Sequence, residues 1–186
     1  MMSRSLACLV VGLFGAAFLM LPITDALAAG CPTGTSLKII TDDGGGESRE
    51  CMTPIGKREG PWTWYYPNGD MGIEGSYRNN KRHGKYTSWY ENGQKHEEGE
   101  YRNGKKRGKW PSWHENGQKY EEGEYKDGKK HGEKHGKWTI WHKNGKKKAE
   151  GEYRDGKKHG KWTFRLPTGE IEKVLQCNMG RCTPAK

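Results

Sequence analysis

Residues 108–131 read GKWPSWHENGQKYEEGEYKDGKKH, and residues 136–159 read GKWTIWHKNGKKKAEGEYRDGKKH. The shared unit is G-K-W-x-x-W-x-x-N-G-x-x-x-x-E-G-E-Y-x-x-G-K-K-x. Working outward, its opening glycine recurs at Gly60, Gly84, Gly108 and Gly132, each 24 residues apart. Glu133-Lys134-His135-Gly136 then inserts four residues at 133–136, and the period resumes from Gly136 to Gly160. The unit starting at Gly84 has Tyr86 where the others have their first Trp. The unit starting at Gly60 is looser, with Trp64, Tyr65 and Asn80, and a fifth copy fades after Gly169. A period this strict belongs to a repeat array, in which each unit contacts its neighbours and no single thick core exists.

The chemistry of each unit points to a hairpin. Asn68-Gly69, Asn92-Gly93, Asn116-Gly117 and Asn144-Gly145 lie between short segments rich in Trp, Tyr and Thr. Asn-Gly accepts the positive φ values of a two-residue type I′ turn. Counting outward from that turn sets Glu91 opposite Gln94, Tyr86 opposite Gly99, Trp110 opposite Gly123 and Trp138 opposite Gly151. It also sets Lys85, Lys109 and Lys137 opposite Glu100, Glu124 and Glu152. On this register each tryptophan covers the glycine across from it, and each Lys–Glu couple is a cross-strand ion pair. Side chains alternate between faces, so one face gathers Trp62, Tyr77, Tyr86, Tyr101, Trp110, Tyr125, Trp138, Tyr153 and Trp162. The other holds Trp113, Trp141 and most of the charge. The links can turn at Asn103-Gly104, Asp127-Gly128 and Asp155-Gly156. The fold class expected is all-β, an elongated antiparallel meander of hairpin repeats about 40 Å across four units. The even insertion keeps the faces in phase.

Composition bounds the function. The chain has 186 residues, only 31% hydrophobic, with 28 glycines and a net charge of +10. From Cys31 onward, Leu, Ile, Val and Phe total 11, too few for a large enzyme with an aliphatic core. All 8 Trp and 9 Tyr lie between Trp62 and Trp162, which argues against disorder. No nucleophile elbow, HExxH or phosphate-cradling loop is present, so the reading is non-catalytic, with no cofactor and no metal. The histidines at 83, 131, 135 and 159 read as exposed link residues. Residues 1–29 read as an export signal: Arg4, an apolar run from Leu6 to Leu21, and the cleavage pattern Ala26-Leu27-Ala28. The alternative is a lipoprotein anchored at Cys31 through Ala28-Ala29-Gly30-Cys31. Removal of the signal leaves Cys31, Cys51, Cys177 and Cys182, an even set that reads as two disulfides in an exported chain. Local pairing, Cys31 with Cys51 and Cys177 with Cys182, is the simplest of the three connectivities. The domains are then a signal (1–29), an N-terminal cap (30–59), the array (60–166) and a C-terminal cap (167–186).

These motifs, G-x-W-x-x-W/Y-Y-x-N-G followed by E-G-x-Y-x-x-G-K-x-x-G, resemble MORN repeats, specifically the bacterial variant class of YwqK-type antitoxin-like proteins. The resemblance implies an elongated sheet of hairpins used as a scaffold for protein or membrane contact. Two surfaces are candidate sites. One is the aromatic face above, either a partner groove or a face that covers itself. The other is a basic stripe along the links: Lys81, Arg82, Lys105, Lys106, Arg107, Lys129, Lys130, Lys157 and Lys158. The expected role is an exported interaction scaffold, periplasmic or extracellular. Its expected partner is a protein or an anionic envelope component. The alternative role is a binder of a membrane surface or of acidic polymers through the basic stripe, and the second alternative is an antitoxin-like or immunity-like protein. Self-association is a further candidate, and export disfavours nucleic acid.

Overall fold

In a computed structural model, residues 30–126 and 132–185 are described. Their strands are β1 (Ser36–Thr41), β2 (Glu47–Met52), β3 (Arg58–Tyr65), β4 (Met71–Arg78), β5 (Lys81–Arg82), β6 (Gly84–Trp89), β7 (Lys95–Arg102) and β8 (Lys105–Lys109). They continue as β9 (Ser112–Trp113), β10 (Lys119–Lys126), β11 (Glu133–Trp141), β12 (Lys147–Arg154), β13 (Lys157–Arg165), β14 (Ile171–Asn178) and β15 (Arg181–Pro184). All join one antiparallel sheet in chain order, and no helix occurs among the described residues. The expected meander is therefore the fold. The proposed export signal, together with Asp127, Gly128, Lys129, Lys130 and His131, lies outside the described residues.

The turns differ from the expectation, and they do so in a compensated way. At Asn92-Gly93 only the glycine has positive φ (77°). The Gly93 amide bonds to Tyr90 O at 2.9 Å and the Tyr90 amide to Gln94 O at 2.8 Å. The loop is thus three residues, a type I turn followed by a left-handed glycine, and Tyr90 rather than Glu91 faces Gln94. The asparagine contributes its side chain: Asn92 Oδ1 accepts from the Gln94 amide at 3.0 Å. A bulge between Ser88 and Trp89 then adds one more residue on β7 and restores the counted register, with Tyr86 opposite Gly99 and Lys85 opposite Glu100. The same compensation sets Trp138 opposite Gly151. The turns with positive φ at both central residues lie at the links instead: Asn79-Asn80, Asn103-Gly104, Asp155-Gly156 and Met179-Gly180.

A second, larger bulge occurs where each repeat meets the one before it. Glu150 pairs with Thr163 and Glu152 with His159, so Gly151 alone faces Gly160, Lys161 and Trp162. Gly123 faces Gly136, Lys137 and Trp138 in the same way. The repeat-opening glycine supplies the left-handed residue this needs, with φ of 68° at Gly108, 67° at Gly136 and 68° at Gly160. At the Asn-Gly end, side chains stitch the repeats together. Asn92, Asn116 and Asn144 Nδ2 donate to the carbonyls of Glu115, Lys143 and Pro167 at 2.8–2.9 Å. Tyr66, Tyr90, His114 and His142 do likewise to Trp89, Trp113, Trp141 and Arg165. Cys31–Cys51 and Cys177–Cys182 sit at disulfide distance, 1.94 and 2.06 Å, near the two ends.

Candidate interaction surfaces

The bulge decides where each tryptophan goes. Backbone pairing sets Trp138 opposite Gly151 in its own hairpin, but its indole lies over Gly123 of the preceding repeat. A Cβ built on Gly99, Gly123 or Gly151 would overlap the rings of Trp110, Trp138 and Trp162, respectively. The expectation that Trp110 covers Gly123 and Trp138 covers Gly151 is therefore corrected by one repeat. The two extra residues displace the indole across the neighbouring strand. The indole nitrogens confirm the direction: Trp162 Nε1 donates back to Glu152 O at 3.0 Å and Trp110 Nε1 to the Glu97 carboxylate at 2.9 Å. The rings form an edge-to-face series, Tyr101–Trp110–Tyr125–Trp138–Tyr153–Trp162, with centroids 5.0–6.0 Å apart. Trp110, Trp138 and Trp162 are 2%, 1% and 0% exposed.

Cations close this face. Arg82 lies over Trp62, Tyr86 and Tyr101, Lys106 over Trp110 at 4.3 Å and Lys158 over Trp162 at 4.6 Å. In the inserted repeat Lys134 takes the equivalent place over Trp138 at 3.9 Å. These three stripe candidates, Arg82, Lys106 and Lys158, thus belong to the aromatic side as cation–π lids. Burial alone would raise the Glu97 carboxyl. Hydrogen bonds from Lys106 and Trp110, with the Lys106 charge, hold it below its ordinary value. Burial, then the charges of Lys134 and Lys173, push the Lys158 ammonium below its ordinary value. Burial raises the phenols of Tyr101, Tyr125 and Tyr153.

The rest of the stripe remains at the link turns, with members the sequence reading missed. Arg78 pairs directly with Lys81, Arg102 with Lys105 and Arg154 with Lys157. Arg78, Lys81, Arg102, Arg154 and Lys157 are all exposed. Like charges directly opposite on a sheet destabilise it, yet the pairing recurs at three turns. At the link after β10 the pair is instead Lys126 with Glu133. Arg107 is exposed beside this edge, and Lys129 and Lys130 lie outside the described residues. The missed arginines stand just before each link turn. Counting back from Asn103-Gly104 as a hairpin turn in its own right would have found them.

The repeat unit can now be compared with known families. The profile of the MORN repeat variant matches residues 58–79, 82–103, 106–127 and 134–155, and that of the MORN repeat matches 98–109, 122–133 and 150–170. The chain belongs to the MORN repeat family. MORN repeats are commonly modules for protein or membrane interaction, and proteins built from them are typically non-catalytic scaffolds. Among curated proteins none matches the chain.

The second face of these MORN repeats is mainly polar, with Thr63 buried and with Trp113 and Trp141 lying under Lys95 and Lys119. Thr63, Glu74, Thr87 and Glu98 are neighbours across successive strands, as are Glu122, Thr139, Glu150 and Thr163. A hollow of about 500 Å³ lies over Thr139, Glu150 and Thr163, bordered by Lys137, Glu152 and Lys161. The expected Lys85–Glu100, Lys109–Glu124 and Lys137–Glu152 couples are opposite in register. The ion pairs that form are others: Lys95–Glu98, Lys119–Glu122 and Lys147–Glu150 on this side, and Lys106–Glu97 and Lys134–Glu121 on the aromatic side. Lys109 and Lys137 lie within the bulge between repeats and are exposed to solvent. The histidines are not exposed link residues: His83, His135 and His159 are half-buried, with Nδ1 enclosed and unpartnered.

Proposed function

We propose that the chain is an exported, non-catalytic scaffold that holds partners in the cell envelope. One observation carries this reading. The repeats close their aromatic side over themselves and turn a recurrent, mainly polar face and a largely basic link edge outward. A surface repeated at a fixed interval offers many equivalent contacts and no single asymmetric constellation of the sort catalysis needs. Export is supported by the N-terminal signal pattern and by cysteine pairs at disulfide distance, which suit an oxidising compartment. The test is fractionation of cells producing the full chain from its own start, followed by intact-mass analysis and cross-linking. The expected product lies outside the cytoplasm, begins at Ala29 or Gly30, carries two disulfides and cross-links to an envelope component. Cytoplasmic protein with four free thiols would overturn the reading, and a diacylated Cys31 would replace soluble export with lipid anchoring.

A further inference from the structure

We propose that the outer edge of β1 pairs with the same edge of a second copy, so that two chains share one continuous antiparallel sheet about a two-fold axis at Ile39. β1 and β15 end the strand order, and among the described residues nothing pairs with the outer side of β1. The two ends are guarded differently. β15 has four residues, Arg181–Pro184, and its Cys182 is bonded to Cys177 of β14. The Ala185 amide bonds to Val174 O at 2.9 Å, so by alternation Cys182 and Pro184 face outward, and the proline offers no donor there. β1 has six residues, SLKIIT, with no proline and an unbroken register against β2. Short length, proline, bulges and charge are the devices that keep an edge from pairing, and of these β1 carries a single lysine, Lys38. Its Ile39 and Ile40 are 46% and 37% exposed. The segment just ahead of β1 is held elsewhere: Cys31 is bonded to Cys51 of β2, and Pro32 lies against Gly60 of β3.

The strand is complementary to itself in one register. The Asp42 amide bonds to Gly46 O at 2.9 Å and the Gly45 amide to Asp42 O at 3.0 Å, so both backbone polar groups of Asp42 face β2. Counting back by twos, those of Ile40, Lys38 and Ser36 also face β2. The N–H and C=O groups of Leu37, Ile39 and Thr41 therefore point away from the sheet. A two-fold axis at Ile39 sets Leu37 opposite Thr41 of the second copy and Ile39 opposite its own equivalent, each pair exchanging both N–H···O bonds. Lys38 then lies across from Ile40 of the second copy. Moving the axis to Lys38 would set the two lysines face to face, which destabilises a sheet. Moving it to Ile40 would leave Leu37 opposite a turn residue. Pairing β1 with β15 of another copy would oppose a missing donor at Pro184 and would leave an edge free for endless addition, whereas β1 with β1 closes.

The test uses the protein recovered from cells producing the full chain from its own start, followed by sedimentation velocity over a range of concentrations. The expected behaviour is a monomer–dimer equilibrium with no larger species. Ile39→Lys and Ile39→Glu each set like charges across the axis and remove an apolar contact, and each should weaken the dimer by roughly tenfold or more. Mixing the two variants sets opposite charges across the same axis and should restore the dimer. Ile39→Pro removes an outward N–H and leaves the bonds to β2 in place, so it should abolish dimerisation with little change in the thermal melt. Ile171→Lys changes another exposed isoleucine, on β14, and should alter the association by less than about twofold. Melts of the Lys and Glu variants check that the sheet is intact. A native chain that stays monomeric at every concentration would overturn the pairing, as would an Ile39→Lys variant that dimerises like the native chain. A mixture that fails to restore the dimer would overturn the axis at Ile39, and growth into open-ended chains would overturn the closed pairing.

Discussion

The aromatic series has two halves, and they are built differently. In the N-terminal half Trp62, Tyr86, Tyr101 and Trp110 pack around a guanidinium: Arg82 lies over three rings and donates to the Tyr101 hydroxyl at 3.2 Å. In the C-terminal half Trp138 and Trp162 pack with Ala149, Cys177, Ile140, Phe164 and Leu175, and Lys134 and Lys158 cover them. Tyr125 touches both. The same repeat therefore tolerates a polar or an apolar filling, provided that one large ring reaches back over the preceding glycine. Where it does not, the glycine is freed: Tyr86 replaces tryptophan, and a Cβ on Gly75 would meet its nearest ring atoms at 3.5 Å.

That comparison can be broken most forcefully at the tryptophans. Trp162→Ala should cost about 3–5 kcal/mol, the range for a fully buried large aromatic, measured by urea unfolding. Arg82→Met should cost clearly less, because an apolar chain of similar length can still cover the N-terminal rings. Equal losses would mean that the two halves are held in the same way.

The next effect separates the glycines. Gly151→Ala should destabilise by about 1–3 kcal/mol through overpacking against Trp162. Gly75→Ala should be neutral or gain up to about 1 kcal/mol, because it meets ordinary contact distances and lowers the entropy of the unfolded chain. The same urea melts decide, and a severe loss at Gly75 would contradict the gap left by Tyr86.

The smallest effects are in pH. The folded Glu97 carboxyl lies below its ordinary value of 4.5. Its contribution is then complete above about that pH and is lost as pH falls through the lowered folded value. Glu97→Gln should flatten the acid limb of the stability profile. Lys158 works at the other end. Its folded value lies below 10.5, so the folded state sheds its proton first, and stability should rise as pH climbs through the lowered value. Lys158→Met should abolish that rise, and an unchanged alkaline limb would argue against the lysine lid.

How much of this was readable depends on whether a feature is local. The period, the hairpins and the Tyr86–Gly99 and Trp138–Gly151 pairings follow from glycine spacing and side-chain alternation, and they are found in the sheet. The turn type at Asn92-Gly93 is not legible in the sequence, because two one-residue changes, the longer turn and the bulge at Ser88/Trp89, cancel in a count of register. The destination of the tryptophans was not readable, since it depends on a bulge between repeats that alternation within one strand does not encode. Arg82, Lys106 and Lys158 look like solvent-facing link charges for the same reason. Only the position of the neighbouring rings shows that they are lids. The free cations at Arg78, Arg102 and Arg154 become evident once the links are themselves treated as two-residue hairpins.

The central claim is that each tryptophan locks its repeat to the one before. A double-mutant cycle between Trp162→Leu and Gly151→Ala tests it most directly, set beside the cycle between Trp138→Leu and Gly151→Ala. The structure predicts a coupling of about 1–3 kcal/mol for Trp162 with Gly151, the alanine being well tolerated once the indole is gone, and markedly less for Trp138 with Gly151. Strong coupling of Gly151 to Trp138 and none to Trp162 would place each indole over the glycine of its own hairpin and contradict the account.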